Sequence, residues 1–518
     1  MSVLEAAQAI LGMAATAQPA ARAKRPNMPW GGPTDGPNLM TLVNRVTLGF
    51  TQEEYALATQ MGFNAYLEYH LNHLAIKDAV VDSLLGSSAS EVQGQEPFET
   101  LWMTPWALGQ QASAGTVQNA LVRATIIRGV FSRRQLFERV VEFWTDHFSI
   151  NIAQEEVIQR IKTVDDRDVI RANALGMFPA LLRASAKSPA MCAYLDNNLN
   201  TRFGGNENYA REIMELHTMG VDGGYTQTDV QRVAKCFTGW TYLGAAGSGA
   251  GAPYNGFTFN FNATNHDPAA QVLFQGTPQQ ITIPAGVANS AANITRGELV
   301  LTALINHPST AMFIAKKMLI RFWGEDPPQA YIDQVAQTYT LTGGDIKAML
   351  RTIFGLFLVT PPPLKFKRPF HVLISALRAA KIHVTSLVNF PNSVQTPLVA
   401  AGHHPFFWQT PDGYPDSLTY WVGLLLPRWN FGASLMNNNY SGITIDTTTA
   451  GPLLAGATTA QQVADRIDLL LFNSTMVAAD KAQVLAHLQP VLPATVPSQT
   501  QIREAFGLAM GSPSFQWY

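Results

Sequence analysis

Apolar residues recur every three to four positions from Leu42 almost to the end of the chain, the period of helices with one buried face. The pattern predicts helices near 39–48, 52–61, 63–75, 116–130, 133–150, 154–171, 176–187, 207–219, 227–239, 295–306, 308–323, 328–341, 345–358, 366–380, 418–426, 460–472, 478–488 and 500–508. Two stretches break it. Residues 241–294 hold a Gly/Ala-rich run, then Phe257, Phe259 and Phe261 at period two, then a Gln/Thr/Ile run, which predicts strand or extended chain. Residues 384–416 hold several Pro and Gly together with His403-His404 and read as loop. The expected fold is mainly α: a large multi-helix single domain over 41–518, with an irregular or β insertion at 241–294. An Ala-, Pro- and Gly-rich flexible arm over 1–40 precedes it. No internal repeat has a solenoid period.

Two of these helices carry unusual chemistry. On a wheel of 207–219, Glu207, Asn208, Arg211, Glu212 and Glu215 fall within about 140° of one another. Tyr209, Ala210, Ile213, Met214, Leu216 and His217 take the other side. Asn206 suits the N-cap, Gly220 suits the left-handed stop, and Glu207–Arg211 and Arg211–Glu215 are i,i+4 pairs. Glu212 and Glu215 are about 60° apart on the wheel, so they can share a proton or a hard cation. On 133–148, Glu138, Glu142 and Asp146 form an i,i+4,i+8 acid row, while His147 lies on the apolar face, as His217 does on its helix. A row of like charges is destabilising alone, so these acids call for basic partners or a cation. If the two histidine-bearing faces meet, both imidazoles enter one buried polar network or a metal site, with Asp146 and His147 as candidate ligands. Against this stands the plainer reading: a solvated, ion-paired helix surface and satisfied core histidines.

Smaller patterns add candidates. Thr226 and Asp229 match a capping box. Asn265-His266-Asp267-Pro268 is an acid–base or ligand unit, or simple turn chemistry at Asp-Pro. Trp240, with Tyr242, Phe257 and Phe259, is a candidate sugar-stacking wall, or core. Asn206, Asn208, Tyr225 and Trp240 are the candidates for contacting substrate. No G-x-S-x-G elbow, H-E-x-x-H, Walker loop or G-x-G-x-x-G after a strand occurs, so nothing points to a nucleotide or flavin.

Composition narrows the classes. Charged residues are 14% and hydrophobic residues 47%, against roughly 25% charged in an ordinary soluble domain. So few charges favour self-association into a homo-oligomer, or a neutral, saccharide-like partner. A net charge of −2, with no dense basic run, gives nothing for nucleic acid to bind. No apolar stretch reaches the length of a transmembrane helix. The two cysteines, Cys192 and Cys236, allow one disulfide but no thiolate metal site. The N-terminus lacks the basic start of a secretory signal, which leaves the cytoplasm and export both open as localisations.

Four segments bear a family resemblance: 142–150 (EFWTDHFSI), 194–240 (YLDNNLNTRFGGNENYAREIMELHTMGVDGGYTQTDVQRVAKCFTGW), 265–268 (NHDP), and 366–379 with 406–431. Through them the chain resembles the bacterial family catalogued as domain of unknown function 1800, over roughly 40–518. The resemblance implies a mostly helical fold and a bacterial source. It also implies frequent export and frequent genetic neighbourhood with an alkaline-phosphatase-like family, a candidate partner. It brings no established activity. The family motif falls on Asp146, His147, Asn206, Glu207, Asn208, Arg211, Glu212, Glu215, His217, His266 and Asp267. The chain departs from many members in lacking a recognisable signal and in its Gly/Ala insert at 244–252.

Two functions follow as expectations. One is a hydrolase or lyase of a neutral polymer, using carboxylates of Glu207, Glu212 and Glu215 with His217 or His266 as the other proton carrier. Asp267 belongs to the same set, Arg211 orients a carboxylate, and a divalent metal is a candidate assistant. The other is a non-enzymatic assembly or accessory protein in which the acids and Arg211 form a structural ion-pair network.

Overall fold

The computed structural model describes residues 39–86, 98–244, 256–489 and 497–518. Residues 1–38 of the expected N-terminal arm and most of the Gly/Ala insert lie outside them, while Leu39 and Met40, the last two of the arm, begin the Leu39–Val46 helix. The described chain is mainly α-helical, and its β structure is three two-stranded antiparallel pairs. Contacts divide it into two compact units: one from Met1–Tyr66, Leu364–Gly402 and Trp421–Tyr518, the other from Leu67–Pro363 and His403–Tyr420. Among the described residues no helix is long and apolar enough to cross a membrane.

In the first unit the Leu425–Met436 helix lies close against the Gln499–Gly511 helix, because Gly432 and Gly507 leave no side chain at the crossing. A Cβ at Gly507 would sit 3.0 Å from Ala433 Cα. Arg428 is buried there, donates to the Lys367 carbonyl at 2.8 Å, and lies over the Phe366 ring. The Asn389–Ala400 helix in this unit corrects the loop expected over 384–416. Pro391 sits in its first turn, where proline is tolerated, and Pro397 lies inside the helix. Those prolines disguise the helix in sequence.

The second unit carries the candidate chemistry. Its helices follow the apolar period closely: Ala114–Phe131, Gln135–His147, Glu156–Val164, Phe178–Ala186, Asn208–Glu215, Gln227–Phe237, Ile294–Asn306 and Pro308–Phe322. The predicted helix at 154–171 changes to wider π-type turns over Asp165–Arg171. Short helices at Ala79–Leu85, Pro105–Gly109 and Pro189–Tyr194 have no counterpart in the sequence reading. At two turns or fewer, they show too little periodicity to detect. In the expected β insertion, Trp240–Tyr242 pairs with Phe259–Phe261 and Gln271–Leu273 with Ile281–Ile283.

Candidate functional site

The Asn208–Glu215 helix is shorter than the 207–219 read from the pattern. Its start is held as expected in function, though one residue on: Asn206 Oδ1 accepts from the Asn208 N–H at 2.9 Å, and buried Asn200 accepts from Asn206 N at 3.0 Å. Its end unwinds through wide turns, His217 N to Glu212 O at 3.1 Å and Met219 N to Met214 O at 2.9 Å. Gly220 closes the segment at φ +82°, where a Cβ would meet the Phe313 ring at 2.8 Å. The Thr226–Asp229 capping box then opens the Gln227–Phe237 helix.

The polar face forms as the wheel predicts. Arg211 reaches Glu207 at 3.4 Å and Glu215 at 3.5 Å, and Gln227 Nε2 donates to Glu207 at 2.6 Å. The Tyr225 hydroxyl bonds Glu215, and burial together with that carboxylate pushes the phenol far up. Glu212 stands apart: among the described residues its carboxylate has no hydrogen bond and no ion pair. It is half-buried, and burial raises its pKa, helped by Glu215 and Asp412 and opposed by Arg211.

Asp412 comes from a distant part of the chain. Gly413 makes this approach possible: a Cβ there would lie 2.0 Å from the Asp146 carbonyl oxygen, so only glycine lets the loop seat against the end of the Gln135–His147 helix. Trp408 Nε1 donates to Asp412 at 2.8 Å, and Thr410 donates to the same oxygen. Tyr194, whose hydroxyl donates to the Gln409 carbonyl at 3.2 Å, is pushed up to about 12 by burial, with smaller contributions from Asp412 and Glu212. On the Pro308–Phe322 helix, the Lys317 amine has no hydrogen bond or ion pair among the described residues. Burial pushes it down to about 8 despite Asp146, Asp416 and Asp412 nearby.

Two acids of the row on the Gln135–His147 helix find the basic partners that its spacing calls for, and the third has a cation nearby. Glu138 pairs with Arg171 at 2.6 Å, Glu142 pairs with Arg321 at 2.6 Å, and Asp146 faces Lys317. Arg321, only 3% exposed, also reaches Asp416 at 3.3 Å.

The two histidine-bearing faces do meet. The rings of His147 and His217 are centred 6.0 Å apart among Trp144, Phe148, Phe178 and Phe313. His147 Nε2 lies 3.1 Å from the His217 carbonyl, which can only accept, so Nε2 carries the proton and the buried Nδ1 lone pair is unpartnered. His217 Nε2 is likewise buried without a partner. Burial holds His147 well below its ordinary value and His217 down at about 3, with Lys317 adding to both shifts. Both rings sit in the core, where burial favours their neutral forms. Asp146 and His147 do not converge as ligands: one faces Lys317 and the other bonds the His217 carbonyl. Among the described residues no three His, Cys, Asp or Glu are arranged to hold a metal ion.

The remaining candidates lie elsewhere. His266 is buried and gives Nδ1–H to the Thr238 carbonyl at 2.8 Å, with Nε2 unpartnered. Asp267 accepts from Ala269 N at 2.9 Å, which is turn chemistry. Nearby Arg296 donates to the Ala269 and Pro284 carbonyls. Among the described residues no hydrogen bond or ion pair joins His266 or Asp267 to the carboxylates of the Asn208–Glu215 helix. Trp240 corrects the expected stacking wall: at 0% exposure it packs edge-on to Phe237 and Phe259 and abuts Gly297, so it offers no face to a sugar. Cys192 and Cys236 are both buried and unpaired.

The sequence reading missed Tyr194, Lys317 and Asp412. The available signals were two adjacent lysines in an otherwise apolar helix and an Asp-Gly turn among aromatics, neither specific enough to name a site.

No curated protein and no solved structure matches the chain. Residues 41–517, spanning both units and every candidate group named above, match the family described as Protein of unknown function (DUF1800), and the chain belongs to that family.

Proposed function

We propose that the chain is a hydrolase or lyase of a neutral polymer, a polysaccharide in the first instance, working by carboxylate acid–base chemistry at Glu212. One observation carries the reading. Glu212 is a half-buried carboxylate without a partner among the described residues, held toward its protonated form beside two other carboxylates. Neighbouring acids whose environments push their proton affinities apart divide the acid and base roles between them. Glu212 then gives its proton to the leaving oxygen. Asp412, oriented by Trp408 and Thr410, takes the proton from water or from the carbon that loses it. Lys317 and Tyr194 stand near enough to feel Asp412 and supply a cation and a phenol for charge that develops there. Arg211 fixes Glu215. The shortage of charge in the chain suits an uncharged substrate.

The chain Glu207–Arg211–Glu215 with Gln227 favours a second reading, in which this face is a structural network of an assembly protein. Glu212→Gln separates the two. Against a panel of neutral polysaccharides, read by new reducing ends and by unsaturated products, the wild type turns over at least one member. The variant is expected to be slower by about 10²–10⁴-fold, the usual worth of a general acid. Equal rates for the two proteins, or no turnover by the wild type, contradict the proposal.

A further inference from the structure

The second unit exposes two tryptophans four residues apart in the chain. Trp102 and Trp106 are each 56% exposed. Neither ring contacts another aromatic among the described residues. Tryptophan is enriched at recognition surfaces, where a large apolar face and an N–H donor can both meet a ligand. Their backbone is fixed. Arg167 Nη1 donates to the Leu101 and Met103 carbonyls, at 3.0 and 2.9 Å, on either side of Trp102. Arg160 Nη1 donates to the Gln111 carbonyl at 2.6 Å, just beyond the Pro105–Gly109 helix that carries Trp106. Two guanidinium groups thus pin the segment, and little freedom remains to be lost when a ligand lands on it.

The surroundings choose the ligand. Exposed Thr104, Gln110 and Ser113 interleave with the indoles, so the patch is wet and broken, unlike an apolar protein-docking face. At its edge Arg167 and Asp168 form a bidentate pair, at 2.8 Å for each bond, which leaves planar hydrogen-bonding groups with their charges mutually neutralised. Aromatic faces beside planar polar groups of no net charge fit the C–H faces and hydroxyl rims of pyranose rings.

We propose that Trp102 and Trp106 form a platform that binds a neutral glycan chain, an inference that takes its ligand class from the polysaccharide reading of the Glu212 site. Neither indole has a group able to give or take the reacting proton, so the platform is a holding surface for the polymer and not a place of reaction. The test is affinity electrophoresis of the full chain through gels holding hydroxyethylcellulose, xylan, laminarin or glycol chitin. The wild type is retarded by at least one of them. Single Trp102→Ala and Trp106→Ala variants bind at least tenfold more weakly, and the double variant runs as in a glycan-free gel. Trp102→Tyr keeps part of the retardation, and all variants keep the wild-type melting temperature because the positions are exposed. Glu212→Gln is retarded like the wild type, so loss of turnover and loss of binding are read separately. Turnover unaffected by Glu212→Gln, with retardation lost in the double variant, removes the acid–base reading and leaves the platform. No retardation of the wild type by any of the four glycans overturns the platform. So does equal retardation of the double variant, or a change confined to its oligomeric mass in size exclusion.

Discussion

The Gln135–His147 and Asn208–Glu215 helices look alike in sequence and behave differently in the folded protein. Each carries acids on one face with an arginine among them, spaced i,i+4 from one another on the first and, for Glu207 and Glu215, i,i+4 from Arg211 on the second, and each has a histidine near its end that turns toward the core. On the first helix Glu138 and Glu142 are each paired with an arginine from another part of the chain, Arg171 and Arg321, and Asp146 has the Lys317 amine nearby. On the second, Arg211 answers Glu207 and Glu215, and Glu212 is left over. A row of answered acids is a packing device. A half-buried acid left unanswered costs stability in its charged form, and perturbed acids of this kind cluster at functional sites, which is the basis of the proposed role of Glu212.

Breaking the packing row has the largest expected effect. Glu138→Gln takes from Arg171 its hydrogen-bonded acid and leaves it in a buried cluster with Arg128, answered by Asp166 and, more weakly, Asp78. Removing one partner of such a pair destabilises by about 3–5 kcal/mol, to be read from denaturant unfolding. A loss below about 1 kcal/mol would place this row with ordinary surface pairs.

The histidines come next. With a folded pKa near 3, His217 binds its proton more weakly than the unfolded chain does at 6.5, so stability is present above pH 6.5 and is lost as pH falls toward about 3. His217→Leu is expected to flatten that acid limb by up to one proton, about 1.4 kcal/mol per pH unit. An unchanged pH dependence of unfolding between 6.5 and 4 would mean that the ring is not held neutral.

Glu212→Gln should act with the opposite sign to the packing acids. Its folded pKa is raised, so the stability it contributes is present below the unfolded value and lost as pH rises through the folded one. The variant is therefore expected to melt higher than the wild type at neutral pH, with the gain vanishing below about pH 4. A lower melting temperature at neutral pH would turn Glu212 into another structural acid. Arg211→Ala has the smallest effect. Its ion pairs are more than a third open to solvent on the arginine side, and such pairs contribute about 0.2–1 kcal/mol before salt screening reduces it further.

The resemblance between the two helices was legible in the sequence; the difference was not. Apolar period gave most helices to within a few residues, and wheel geometry placed Glu207, Arg211, Glu212 and Glu215 together. It could not show which acid would be left without a cation, because the cations come from Arg171, Lys317 and Arg321, on elements that no local pattern pairs with them. Asp412 enters the site only through the close approach of Gly413 to Asp146. The wheel for 207–219 also assumed an unbroken helix, whereas hydrogen bonds spanning five residues end it at Glu215 and carry His217 into an aromatic cage. Trp240 looked like a sugar wall because alternation marks one face of a strand without saying whether that face meets solvent or core.

The central claim is that burial and the neighbouring carboxylates hold the Glu212 proton to higher pH than in an ordinary glutamate. The direct measurement is a pH titration of carboxyl-labelled glutamates by ¹³C NMR, with the Glu212 resonance identified by its disappearance in Glu212→Gln. The account predicts a midpoint above the ordinary glutamate value of 4.5, and a further rise when Arg211 is replaced by Ala, since Arg211 is the one group that lowers it. A midpoint at or below 4.5, or one indifferent to Arg211, would contradict it.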